Sequence, residues 1–312
     1  MVSFWPQISG NGSVLSGRRV VAMSASNDKK SVVVTGAGGR TGQLVMKKLL
    51  QHSQYYPVGV VRSEQSAAKL KEYGACDDQI VMCDILGENG QSTLDKAMVN
   101  ADKLVICTSA VPEIIKLSLI PVILAKIFRR EGVRPKFTFK KDQAPEQVDW
   151  VGQKMQIDSA KKNGVNKVVL VGSMGGTQAD NFLNSIGDGN ILVWKRRAEA
   201  YLIRSGLNYT IIHPGGLKDD QGGNREILLN VDDKFLDDKS GPRSIPRADV
   251  AELCVQSLDL GDRRSIDCVA REPGQGVPTT DFGALFGSMT NNCNYDDMNN
   301  DAILGASFGS KA

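Results

Sequence analysis

Glycines at positions 36, 39 and 42 follow the apolar run Val32-Val33-Val34-Thr35 and open a stretch with helical character. The spacing is G-x-x-G-x-x-G. A turn of this kind does one piece of chemistry well, which is holding a diphosphate. Glycine lets the backbone bend tightly and approach the anion, and the first turn of the following helix offers N–H groups with no partner of their own. A strand before it and a helix after it supply the setting that a dinucleotide site requires. Gly36, Gly39, Arg40, Thr41 and Gly42 are the expected contacts around the diphosphate.

The second strand of such a unit ends about twenty residues later, at the adenosine ribose. Val60-Val61-Arg62-Ser63 stands there. A carboxylate at this place would bond the ribose 2′-hydroxyl of NAD. Arg62 instead matches a 2′-phosphate in the fork geometry of a guanidinium, and Arg40 is within reach of the same group. The expected cofactor is NADP(H); the bland alternative makes Arg62 a solvated strand end. By strand order, Asp84 meets the adenine amino group, Ile85 flanks the ring and Ser109 lines the groove.

These residues need a scaffold, and the chain supplies alternating strands and helices. Strand candidates are 31–35, 58–61, 79–83, 103–108, 167–171 and 209–213, dense in Val, Ile and Leu without alternation, as suits parallel strands buried on both faces. Helical stretches at 42–52, 153–163 and 194–205 lie between them, and Gly164 and Gly206 sit where left-handed caps would end two of them. A late strand at 265–270, a helix beginning at 245 and a closing helix at 280–289 follow. The expected fold is α/β, a doubly wound parallel (Rossmann) sheet over residues 31–290 with a small C-terminal substrate lobe.

Composition excludes several classes. The 312 residues are 41% hydrophobic and 23% charged, ordinary for a globular chain. The net charge of +3 resides in residues 1–30 and the remainder is balanced, so no basic face invites nucleic acid. None of the six cysteines forms a C-x-x-C pair and there are two histidines, which argues against a zinc site and for a reducing compartment. Residues 1–27 contain no acid, two Arg and several Ser, a composition that suits a transit peptide as well as an unstructured end. Residues 291–312, rich in Asn, Asp, Gly and Ser, are expected to form a disordered tail. No run reaches a membrane span. The insert 113–142 is apolar at first and then basic, with eight Lys or Arg against three acids. It fits either a peripheral membrane or partner contact or, more plainly, a helix packed on the sheet with a solvated loop.

The segments Val34–Gly42, Thr108–Pro112, Glu146–Ile157, Val171–Gly176, Asn190–Glu199, Tyr209–Leu217 and Ile245–Ala251 resemble the atypical short-chain dehydrogenase/reductase group of plant and algal NAD(P)-binding proteins, near its NmrA-like branch. Plastid import-associated dehydrogenase-like proteins and flavin/biliverdin reductases are similar more distantly. The resemblance implies the Rossmann fold, NADP(H) binding and a plastid address, with cytoplasm as the alternative. It makes Pro214, Gly215 and Gly216 the loop over the nicotinamide. It also makes Ser173 and Lys195 the remnants of a Ser, Tyr-x-x-x-Lys relay in which Tyr moves the proton.

The Tyr position is Ile191, which carries no proton, and Trp194 offers no substitute. Lys195 then binds the nicotinamide ribose, serves as the acid itself, or pairs with Glu199 one turn on. Ser173 orients a substrate carbonyl or caps the turn at Met174-Gly175-Gly176. His213 is either a titratable group near the nicotinamide or, as is commoner in an apolar run, a structural hydrogen-bonder. Two functions fit: an NADP(H)-dependent oxidoreductase for a flavin, quinone or similar small-molecule acceptor, or a non-catalytic NADP(H)-sensing module for a plastid protein partner.

Overall fold

The computed structural model describes residues 29–127 and 132–298. The expected transit peptide, residues 128–131 of the insert and residues 299–312 of the expected tail lie outside the described residues.

Twelve strands and ten helices alternate among these residues. The first half comprises β1 (Lys30–Thr35), α1 (Arg40–Leu50), β2 (Tyr55–Val61), α2 (Glu64–Glu72), β3 (Ile80–Met82), α3 (Gly90–Ala97), β4 (Lys103–Ile106), β5 (Glu113–Ile114), α4 (Leu119–Ile127) and β6 (Phe137–Thr138). A π-helical turn at Glu146–Gly152 runs into α5 (Gln153–Lys162). Then follow β7 (Lys167–Val171), α6 (Phe182–Ser185), α7 (Ile191–Arg204), β8 (Asn208–Pro214), β9 (Gly216–Lys218), β10 (Ile227–Asn230), α8 (Lys234–Asp237), β11 (Ser244–Pro246), α9 (Arg247–Gln256), β12 (Arg264–Ala270) and α10 (Phe282–Gly287).

The main sheet has the order β10-β12-β8-β7-β4-β1-β2-β3, parallel throughout except for the edge strand β10. The strand order reverses between β1 and β4, which places a crevice beyond their carboxyl ends. Successive side chains of β1 feed two cores. Val32 and Val34 pack on the side of α1 and α9, and Val33 on the side of α3, α5 and α7. Burial on both faces explains why the strands read as unbroken apolar runs. Gly164 and Gly206 adopt positive φ after α5 and α7, as their positions suggested.

Lys103 and Lys167 begin two central strands and are buried, yet each finds a carboxylate: Asp259 at 2.6 Å and Asp262 at 2.5 Å. The loop after α9 thereby ties down the amino ends of β4 and β7. Burial would raise the Asp259 carboxyl, but the hydrogen bonds from Lys103 and Tyr55 and the Lys103 charge outweigh it and hold the group well below the usual carboxylate range.

Three expectations are corrected. Residues 291–298 are not a disordered tail. Cys293 and Met298 are buried, Cys293 N–H donates to the Ser265 carbonyl, and Arg204 donates to the Met298 carbonyl. Small polar residues disguised a segment anchored by its few apolar and sulfur side chains. In the insert, the helix does not bury its apolar residues on the sheet: Leu117 just before α4 and Ile120, Ile123 and Leu124 on it are exposed. The helix beginning at residue 245 starts instead at Arg247, because Ile245 pairs with Leu217 in the small sheet β9–β11.

Candidate functional site

The turn after β1 is built around glycine for steric reasons. Gly36 has φ +66°, and a Cβ there would lie 2.7 Å from the Cys107 carbonyl and the Thr108 nitrogen. A Cβ on Gly42 would lie 2.2 Å from the Gly36 carbonyl oxygen. The two glycines therefore let α1 start directly beneath the turn, with β4 pressed against it. Its N-cap, Gly39, offers no side-chain bond to the helix, so the first N–H groups of α1 remain available to an anion.

A groove of about 560 Å³ opens at the crevice between β1 and β4. Gly36, Gly39, Arg62, Asp84, Ile85 and Ser109 all line it, together with Ser63, Ser66, Gln143 and Gln156. Six expected cofactor residues from four segments thus share one cavity. Asp84 already accepts from its own loop, at Leu86 N–H (3.2 Å). Arg62 is exposed, without an ion pair among the described residues. Ser63 caps α2 by accepting from Ser66 N–H, which fixes the turn beside Arg62. An acceptor-bearing group at the end of β2 would meet a free guanidinium and two hydroxyls, the donor set that suits a phosphate.

Other expected residues lie elsewhere. Arg40 does not border the groove; it pairs with Asp219 at 3.1 Å on the far side of the turn. Thr41 and Gly42 belong to the first turn of α1, Gly42 as buried packing. Pro214 is buried at the end of β8 and accepts from Met174 N–H, while Gly215 and Gly216 donate to the Cys268 and Arg243 carbonyls. Ser173 Oγ donates to the Met174 carbonyl and borders a small crevice with Thr177, Glu199, His213 and Asp233.

Lys195 is buried on α7, and its partner is Asp149 (Nζ to Oδ1, 2.8 Å), not Glu199. The other Asp149 oxygen accepts from Ala110 N–H at 3.1 Å, so the lysine is joined through one carboxylate to the loop that follows β4. Glu199 is taken by His213. The His213 Nε2 lies 3.2 Å from Glu199, and Nδ1 lies 3.0 Å from Asp267. Cys293 and Tyr295 complete this buried cluster. Burial pulls the His213 imidazole down, but the Glu199 carboxylate and the bond to Asp267 outweigh it and hold the group well above its ordinary value. Burial would raise Glu199, yet the His213 charge, its hydrogen bond and Arg196 hold it below. His213 therefore has the structural role of a charged hydrogen-bonder between two carboxylates. Its Nδ1, an Asp267 oxygen and the Cys293 sulfur lie within 4.8 Å of one another, a spacing that these hydrogen bonds account for.

Residues not singled out from the sequence stiffen the site. Gln156 is fully buried, accepts from Thr35 at the end of β1 (2.5 Å) and donates to Thr108 at the end of β4 (3.1 Å). Gln153 donates to the Thr108 carbonyl at 2.9 Å. The available signal was a pair of amides three residues apart on an otherwise core-facing helix. Asp149 stood in a quoted segment, and its burial on a π-helical turn is the feature that a single sequence does not reveal.

The glycine turn, the switch-point groove and the free guanidinium define a nucleotide-binding Rossmann protein of the short-chain dehydrogenase/reductase kind. The chain belongs to the NAD(P)H-binding family, whose sequence profile matches residues 36–260, so a nicotinamide nucleotide is its cofactor. It is 46% identical to an uncharacterised chloroplastic protein of Arabidopsis thaliana, over 86% of this chain and 78% of that one. It is 44% identical to sanguinarine reductase of Eschscholzia californica, over 86% of this chain and 99% of that one. Among solved structures it resembles a putative NAD-dependent epimerase/dehydratase of Bacillus halodurans, with a TM-score of 0.58 and 23% identity over 78% of this chain and 95% of that one, a likeness of fold.

Proposed function

We propose that the protein is a plastid NADPH-dependent reductase of a conjugated acceptor such as a flavin or quinone. The observation that carries the reading is Ile191, buried at the start of α7, where an ordinary member of the group has its proton-donating Tyr. General acid help is worth typically 10²–10⁴-fold, so simple carbonyl reduction suffers from its loss. A conjugated acceptor spreads the charge left by hydride addition and draws its proton from water.

When bound, NADPH supplies the hydride. The chain does the rest by binding and placement. Gly36 and Gly39 with the start of α1 hold the diphosphate, Arg62 and Ser63 hold the 2′-phosphate, and Asp84 and Ile85 flank the adenine. In this reading Lys195, held by Asp149, binds the nicotinamide ribose. Ser173 in this reading orients the acceptor. The relative named as a reductase favours turnover, and the chloroplastic relative favours the plastid.

The test is NADPH oxidation by the purified protein against flavin, quinone and aldehyde panels. Turnover on conjugated acceptors and not on simple aldehydes is expected. Tight NADPH binding with no turnover on any panel would replace this reading with the NADP(H)-sensing module.

A further inference from the structure

Among the described residues, fifteen large apolar side chains are exposed, and eight of them fall between Val111 and Val133. Chance scatter of single apolar residues over a surface needs no cause, but a cluster does. In this one, Val111, Ile114 and Ile115 belong to the β5 arm, and Leu117, Ile120, Ile123 and Leu124 follow at helix-face spacing. Leu117 is 77% exposed, Ile120 54% and Ile123 57%. Among the described side chains of α4 the buried one is instead the small Ala125. The outward stripe is therefore apolar as well, whereas a helix that only lies on a protein core turns a polar face to solvent.

The border of this face is basic. Lys116, Arg134, Lys136, Lys140 and Lys141 are exposed around it, against Glu113 and Asp142. Glu113 is already neutralised by Lys140 at 3.3 Å. Arg134 stacks on the exposed ring of Phe182 (4.8 Å), which adds an aromatic side chain beside the insert. The balanced charge of the rest of the chain makes this local excess stand out.

We propose that residues 111–125 and 132–141 form a peripheral docking face for an anionic lipid bilayer. Leu117, Ile120, Ile123 and Leu124 enter the acyl boundary, and Lys116, Arg134, Lys136 and Lys141 meet the headgroups. Charge complementarity selects this occupant. A second copy of the chain would bring the same basic rim against itself, whereas an anionic surface gains about fivefold in partitioning for each nearby Lys or Arg. No helix among the described residues is long and apolar enough to cross a membrane, so the contact is interfacial. Val111 and Lys140 also line the nucleotide groove, so docking brings the groove and the bilayer together. The proposal stands whether or not the protein turns over an acceptor.

The test uses the full chain in co-sedimentation with extruded vesicles of phosphatidylcholine alone and with about 30 mol % phosphatidylglycerol, near 0.1 M salt where the Debye length is about 10 Å. The protein is expected to pellet with the anionic vesicles and to partition at least tenfold less onto the neutral ones. Ile120→Glu/Ile123→Glu and, separately, Lys136→Glu/Lys141→Glu should each lower partitioning at least tenfold while leaving the melting temperature and NADPH affinity unchanged. Absence of pelleting with anionic vesicles, or equal pelleting of both variants and the wild type, overturns the proposal. So does a light-scattering dimer that Ile120→Glu/Ile123→Glu dissociates in the absence of vesicle binding, which would assign the face to a second copy.

Discussion

The Lys195 ammonium sits 2.8 Å from Asp149 Oδ1, while the other oxygen of the same carboxylate holds Ala110 N–H at 3.1 Å. One buried acid therefore sets both the lysine expected at the nicotinamide and the loop that closes β4. Both side chains are nearly inaccessible, so removing one partner strands a charge. Asp149→Ala is expected to cost roughly 3–5 kcal/mol in urea unfolding. Asp149→Ala/Lys195→Met should cost less than the sum of the two single changes by more than about 1 kcal/mol. Strict additivity would show that the pair is not coupled.

Arg62 is exposed and, among the described residues, without an ion pair at the mouth of the groove, beside Ser63 and Ser66. Hydrogen bonds to charged groups are worth about 1.5–3 kcal/mol. Arg62→Ala should therefore weaken NADPH roughly tenfold to about 150-fold and barely change NADH, as read by fluorescence titration of each. Arg40→Ala, whose partner is Asp219 outside the groove, should leave that ratio near the wild-type value. Equal losses of the two nucleotides in Arg62→Ala would remove the 2′-phosphate assignment.

Gly36 is the position where a single methyl group does most damage. A Cβ there meets peptide atoms of Cys107 and Thr108 at 2.7 Å, and the positive φ costs an L-residue roughly 1–2 kcal/mol before any clash. Gly36→Ala should lower the melting temperature and weaken NADPH at least tenfold. Gly164→Ala makes a useful control. It shares the positive φ but meets nothing within 4 Å, so it should lose some stability and retain affinity.

The His213 cluster gives a pH signature. The folded pKa of His213 is raised, so its contribution to stability is complete below the usual histidine value of about 6.5 and declines as pH rises through the higher folded value. Glu199 is depressed, so its share is present above the usual value of about 4.5 and fades as pH falls through the folded one. The groups facing the imidazole are Glu199 from α7, Asp267 from β12, and Cys293 and Tyr295 from the C-terminal segment. The stability gap between wild type and His213→Gln should hold near pH 6.5 and shrink toward alkaline pH in denaturant titrations. A gap that widened there would contradict a protonated His213.

What the sequence revealed follows from local physics. The turn at Gly36, the strand Lys167–Val171 and the caps at Gly164 and Gly206 are dictated by steric rules within a few residues, and the structure has them in place. Arg62, Asp84, Ile85 and Ser109 were legible because strand order alone brings them to one crevice. The start of α7 was less so. Asn190 enters it in a left-handed conformation and the apolar run Ile191-Leu192-Val193 has the look of a strand. The exchange of partners, Lys195 to Asp149 and Glu199 to His213, is tertiary; helical spacing alone paired Lys195 with Glu199. Cys293 and Tyr295 reach their cluster from 80 and 82 residues away from His213, beyond what composition of that segment conveys.

The account rests most directly on a phosphorylated dinucleotide in the groove at the β1–β4 crevice. Calorimetric titration of the wild-type protein with NADPH and with NADH tests it. A single saturable site that binds NADPH more tightly than NADH is the result the account predicts. No saturable heat with either nucleotide, or a preference for NADH, would contradict it.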